Sequence, residues 1–92
     1  MKKYIFDRKD FDWAEQFYEI IKTNFNLPNW FGKNADALWD MLTGFVECPC
    51  EIIFKNFNQK ENAYNETNIN LILNCFKDAA EQYPNKFIIH FE

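Results

Sequence analysis

The sequence predicts a small single α/β domain over residues 1–92, with a three-stranded parallel β-sheet packed with about four helices. Three observations carry that expectation. Short apolar segments rich in Ile and Phe recur at 4–6, 51–54 and 86–91, each of strand length. Segments of helical period separate them, so the strands are joined by crossovers, which favours parallel pairing. Hydrophobic residues make up 48% of the 92 and include 11 Phe, enough for one core without disulfides or metals in so short a chain. The pattern leaves the strand order open.

Taken in order, the first strand is followed by Asp12, which reads as a helix N-cap with Glu15 completing a capping box. Trp13, Phe17, Ile20 and Ile21 then fall at i, i+4, i+7 and i+8, turning one face to the core as far as Phe25. Leu27-Pro28-Asn29 breaks that helix. Asn34 caps a second helix over 35–43, with Ala35, Leu38, Met41 and Leu42 inward, and Gly44 ends it in a left-handed C′ position. After the strand at 51–54, residues 56–63 read as a short third helix. Thr67 caps a fourth, with Ile69, Ile72, Leu73, Phe76 and Ala80 inward, and Tyr83-Pro84-Asn85 returns the chain to the last strand.

The second helix carries an unusual outer face: Asp36, Trp39, Asp40 and Thr43 at i, i+3, i+4 and i+7. Like charges one turn apart repel by roughly 0.2–0.5 kcal/mol, and the Trp between them leaves a large aromatic in water. A helix built for stability alone would not choose that surface; one built to meet a cationic partner would.

Composition removes several function classes. A formal charge of -4 argues against a nucleic-acid binder that neutralises phosphates and suits long-range attraction to a basic protein. Two glycines rule out a Gly-rich phosphate loop. Cys48, Cys50 and Cys75 read as reduced thiols, and only the distant His90 is left to help them hold zinc, which needs about four ligands. His90 falls opposite Phe87, Ile89 and Phe91 on the last strand, with no nucleophile or acid at catalytic spacing. The expectation is a protein that is not an enzyme and uses no cofactor. The first residues are basic but lack an apolar run of export-signal length, and no stretch approaches a membrane span, so the expected location is the cytoplasm.

The run Leu27-Pro28-Asn29-Trp30-Phe31-Gly32-Lys33-Asn34-Ala35-Asp36-Ala37-Leu38-Trp39-Asp40-Met41-Leu42-Thr43-Gly44-Phe45-Val46-Glu47 resembles the signature segment of the barstar family, intracellular inhibitors of barnase-type ribonucleases. The likeness extends more loosely over the whole chain. It implies a barstar-like fold and a 1:1 complex with a small basic extracellular ribonuclease, with no direct contact to nucleic acid or membrane. Asp40 would stand in for a substrate phosphate, with Asp36 and Asp78 as secondary cation contacts. Trp39 and Trp30 would supply apolar area, Trp30 where the family carries a Tyr that stacks on the nuclease's catalytic histidine. Trp39 has a plainer reading as core rim against the fourth helix. Asn34 reads as a cap first and an interface contact second, and Thr43, Gly44 and Phe45 close the segment, Phe45 replacing a family Trp.

Two positions depart in charge: Lys33 stands where the family has an acid, and neutral Gln82 stands where it has a second acid, with Glu81 beside it at a different radial position. These departures and Trp30 support an alternative, an immunity or regulatory protein of the same fold directed at a different basic partner. A third reading gathers a divalent ion between Asp36, Asp40 and Glu47, although one helix face presents only two of them.

Overall fold

The structure, a computed structural model, describes residues 1–57 and 63–92. Strand β1 (Lys2–Asp7) passes through a single 3-10 turn at Arg8–Asp10 into α1 (Ala14–Phe25), followed by α2 (Ala35–Gly44), β2 (Cys50–Lys55), α3 (Ala63–Gln82) and β3 (Phe87–Phe91). The strands pair in parallel in the sequential order β1-β2-β3.

Side chains alternate across each strand, so the register decides which residues share a face. Phe6 lies opposite Phe54, and Ile52 opposite Ile89. Phe6, Cys50, Ile52, Phe54 and Phe87 are buried beneath the helices. The alternate positions, including Lys3, Ile5, Ile88 and His90, are exposed, so the helices cover one face of the sheet only. Ile53 belongs to the open face yet is buried, because the central strand places it between Ile5 and His90.

The covered face is filled mainly by phenylalanine. Phe6 lies 5.8 Å from both Phe17 of α1 and Phe54 of β2, and Phe54 lies 5.3 Å from Phe76 of α3. Such ring pairs contribute about 0.5–1.5 kcal/mol each beyond area burial, and here they join the sheet to two helices.

One buried charge accompanies them. Arg8, 2% exposed, donates to the Phe11 carbonyl at 2.7 Å and to Glu66 Oε1 at 3.1 Å, and its guanidinium sits 4.9 Å over the Phe11 ring. Burying a guanidinium is tolerable only when it is paired in this way. Just before it, Asp7 accepts from the Lys9 amide at 2.9 Å and from Asn56 Nδ2 at 3.0 Å. The Asn56 contact, then the Lys9 amide, lower the Asp7 carboxyl below the usual carboxylate range.

Several expected details differ. Among the described residues there are three α-helices, where the sequence predicts about four: α3 begins at Ala63, so Thr67 lies inside it and is not its cap. The short helix expected at 56–63 falls largely outside the described residues. The α1 cap is shifted by one residue, with Trp13 in the N-cap position and Gln16 Oε1 accepting the amides of Asp12 and Trp13 at 2.7 and 2.9 Å. An amide oxygen there serves as well as the expected carboxylate of Glu15. Trp13 consequently turns outward and is 57% exposed, leaving Phe17 and Ile21 as the fully buried members of that stripe. Gly44 is the last residue of α2, and no glycine has positive φ; the left-handed helix terminus belongs to Asn26 after α1, with φ 53°. Among the described residues, no helix is long and apolar enough to cross a membrane.

The Arg8–Glu66 pair predicts a stability defect. Glu66→Leu should cost about 1.5–3 kcal/mol in urea unfolding, because it removes a charged hydrogen-bond partner from a buried guanidinium. A loss below 0.5 kcal/mol, roughly the size expected at an ordinary exposed site, would show that the pair is not holding β1 to α3.

Candidate protein-binding site

The segment between α1 and α2 is pinned from below. The Leu27 amide donates to Lys22 O at 2.9 Å and the Phe31 amide to Pro28 O at 3.0 Å, while Leu27 and Phe31 are buried and Phe31 meets the Tyr18 ring at 6.3 Å. With Phe31 drawn into the core, its neighbour Trp30 is turned into solvent and is 74% exposed. Asn34 is the N-cap expected from the sequence: its Oδ1 accepts the Ala37 amide at 2.8 Å. Lys33 is tied back to α1 by ion pairs with Glu19 and, at 3.7 Å, Glu15. Hydrogen bonding to Glu19 leads in raising the Lys33 ammonium above its ordinary value, and the same bond lowers Glu19.

Along α2, Leu38, Met41 and Leu42 are buried, and Asp36 and Asp40 are exposed, as the helical period predicts. Trp39 is half-buried against the core and reaches towards α3, which is the plainer of its two expected roles. The Thr43 hydroxyl is engaged in donating to Trp39 O at 2.8 Å. Gly44 is exposed, and a Cβ built there would meet nothing within 4 Å. Phe45, placed between core and interface by the sequence, is 49% exposed.

Asp36, Asp40 and Asp78 share one property: among the described residues none has an ion-pair partner. Several other acids among the described residues are paired, although Asp10 and Glu81 are not. Glu47 binds Lys2 at 3.2 Å, and Glu51 binds His90 at 2.7 Å, a partner for His90 that the sequence did not indicate. Glu47 is thereby separated from Asp36 and Asp40 in role, and no three metal-ligating side chains gather among the described residues.

Asp78 stands on α3 beside Trp39, and both line a groove with Glu81 and Gln82. Glu81 therefore shares the groove with Gln82, from which the helical period sets it at a different radial position. The signal was available, because Glu81 is i+3 from Asp78 and residues at that spacing are neighbours on a helix. Leu71, on the same helix, is the other residue missed: it is 52% exposed and borders the α2–α3 seam. The face combines uncommitted carboxylates, exposed aromatics and one bare glycine. It suits a basic protein surface better than a small ligand.

The sequence profile of the family described as “Barstar (barnase inhibitor)” matches residues 1–92. A protein of Bacillus subtilis strain 168, named “Putative ribonuclease inhibitor YrdF”, is 34% identical over 92 residues, covering all of both chains.

The free thiols are raised chiefly by burial, and Cys75 also feels the charge of this face. Cys75 Sγ lies 3.6 Å from Ala35 O, and burial, with Asp78 and Asp36 nearby, pushes its pKa up to about 12. Cys50 is raised to about 11, by burial first and then by Cys48. A thiol with a raised folded-state pKa keeps its proton after the unfolded chain has lost it. Stability should therefore decline as pH rises from the ordinary thiol value of 9.0 towards 12. At pH 8 the half-buried Cys48 should be the first to react with a thiol reagent. Early labelling of Cys75 in the native protein would contradict this arrangement.

Proposed function

The chain belongs to the barstar family, and on that premise we propose that it inhibits a small basic secreted ribonuclease of the barnase type, in a 1:1 complex formed in the cytoplasm. The family is one of inhibitors rather than enzymes. The observation that carries the reading is the division of labour around α2. Asn34 and Thr43 are bonded to their own backbone, while Asp36, Asp40 and Asp78 hold no cation among the described residues.

In this reading Asp40 enters the nuclease active site in place of a substrate phosphate. Arginine grips carboxylate and phosphate with the same planar fork, so a site built for one accepts the other. Asp36, one turn earlier, and Asp78 on α3 meet further cations at the rim. Glu81 supplies the second α3 acid that Gln82 lacks. Trp30 offers a flat ring to stack on the active-site floor, and Trp39 contributes its exposed edge. A few desolvated anchors of this kind dominate affinity, while the charge of -4 hastens encounter.

The carboxylates are carried on a capped helix, so little ordering remains to be done on binding. Lys33 does not argue for another partner class, because Glu15 and Glu19 occupy its ammonium.

The deciding experiment is inhibition of barnase by this protein beside Asp40→Ala. Stoichiometric inhibition is expected from the former, with affinity weakened about a hundredfold or more in the latter, the scale of a central charged anchor. Failure of the unaltered protein to inhibit would remove the barnase-type target. Gly44→Ala separates folding from binding. The monomer should gain up to about 1 kcal/mol, since nothing opposes the methyl and Ala is the better helix former. Inhibition should nevertheless weaken if the partner's backbone closes over this position; unchanged inhibition would show that it does not.

A further inference from the structure

The depressions beside α2 are not isolated. The groove lined by Trp39, Asp78 and Glu81 shares Trp39 and Asp78 with a notch on the α2–α3 seam. That notch shares Ala35 and Leu71 with a third hollow of about 420 Å³ on the far side of α2, between α1 and α3. The continuity has a simple cause. Beside Leu71 the notch is lined by Ala35 of α2, with Trp39 one turn on, and by Cys75 of α3; the small Ala35 and Cys75 leave the helices incompletely filled at that level. Leu71 is left 52% exposed on an otherwise polar stretch of α3.

The far hollow is walled by Tyr18 and Glu15 of α1 and by Lys33. Among the described residues its one cation, Lys33, is held between Glu15 of the wall and Glu19 just outside it, so that cluster of three carries one net negative charge. The whole track is thus acidic at both ends and apolar at its centre.

We infer that the partner's footprint does not end at α2 but continues over Ala35 and Leu71 into the hollow between α1 and α3, which receives an extended basic segment of the ribonuclease lying outside its active site. This rests on the ribonuclease-inhibitor reading and adds a second contact strip to it. An apolar residue of the segment sits on Leu71 and Ala35, and lysine or arginine side chains reach Glu15 at one end and Asp78 and Glu81 at the other. Such a strip adds discrimination among ribonucleases whose active sites are alike, because the segment is read independently of the catalytic groups.

The test uses surface plasmon resonance with barnase as the probe and three variants of the full chain. Leu71→Arg places a cation in the centre of the track and should speed dissociation by about tenfold or more, since interface changes act mainly on that rate. Ile88→Arg makes the same change at an exposed position on the open sheet face and should leave dissociation within about twofold. Circular dichroism confirms that both fold, as expected for exposed sites. Asp40→Ala reports separately on the active-site plug. Leu71→Arg dissociating like the unaltered protein, while Asp40→Ala loses binding, would overturn the strip and leave the inhibitor reading intact. Equal acceleration by Leu71→Arg and Ile88→Arg would also overturn it, as an effect of net charge alone. No binding by the unaltered protein would take both readings down together.

Discussion

Three parallel strands in sequential order impose the constraint from which the site follows. Crossovers of the same hand between neighbouring strands return on the same side, so all three helices must share one face of the sheet. Strands lie about 4.8 Å apart, which makes the sheet roughly 15 Å wide at most, whereas three helices of about 10 Å diameter need twice that. One helix must therefore overhang. It is α2, which packs chiefly on α3, whereas α1 sets Phe17 and Phe25 against Phe6 of β1. An overhanging helix shows more of its circumference to solvent than a central one, and that extra surface is where Asp36, Asp40 and Gly44 lie.

The overhang is kept rigid by groups at its two ends as well as by its buried Leu38 and Leu42. Asn34 closes the first turn, Phe31 anchors the approach, and the amides of Phe45 and Val46 return to Met41 O at 2.9 and 2.8 Å. A helix of ten residues is marginal in isolation, so these terminal bonds and the Leu38–Met41–Leu42 contact with the core decide whether it holds its shape. The Arg8–Glu66 pair has a comparable role elsewhere, fastening the end of β1 to the early part of α3 across 58 residues of chain.

Much of this is legible in the sequence, and the misreadings have local causes. Strands and the first two helices announce themselves because apolar spacing of period two and of about 3.6 is enforced by a one-sided core. The cap of α1 slips by one residue because Gln16 and Glu15 offer the same acceptor, and nothing local says which is used. Thr67 looks like a helix start, yet α3 begins a turn earlier, since a good N-cap residue does not forbid a helix from passing through it. The acids of α2 are readable as surface, but their lack of partners is not, because Lys33 lies close by in sequence and pairs with Glu19 and Glu15 instead. The pairing of Arg8 with Glu66 is likewise invisible to any pattern of short period.

The carboxylates without partners bear on how such a protein changes over generations. Asp36, Asp40 and Asp78 support no bond within the described fold, and Gly44 fills no space that a methyl could not enter. In the proposed reading, substitutions at these positions alter recognition while leaving the folding problem already solved. Asn34 and Thr43 lack that freedom, since each is spent on its own helix. A lineage built this way can follow a drifting adversary by editing a handful of surface letters, and its scaffold sets no toll on the pursuit.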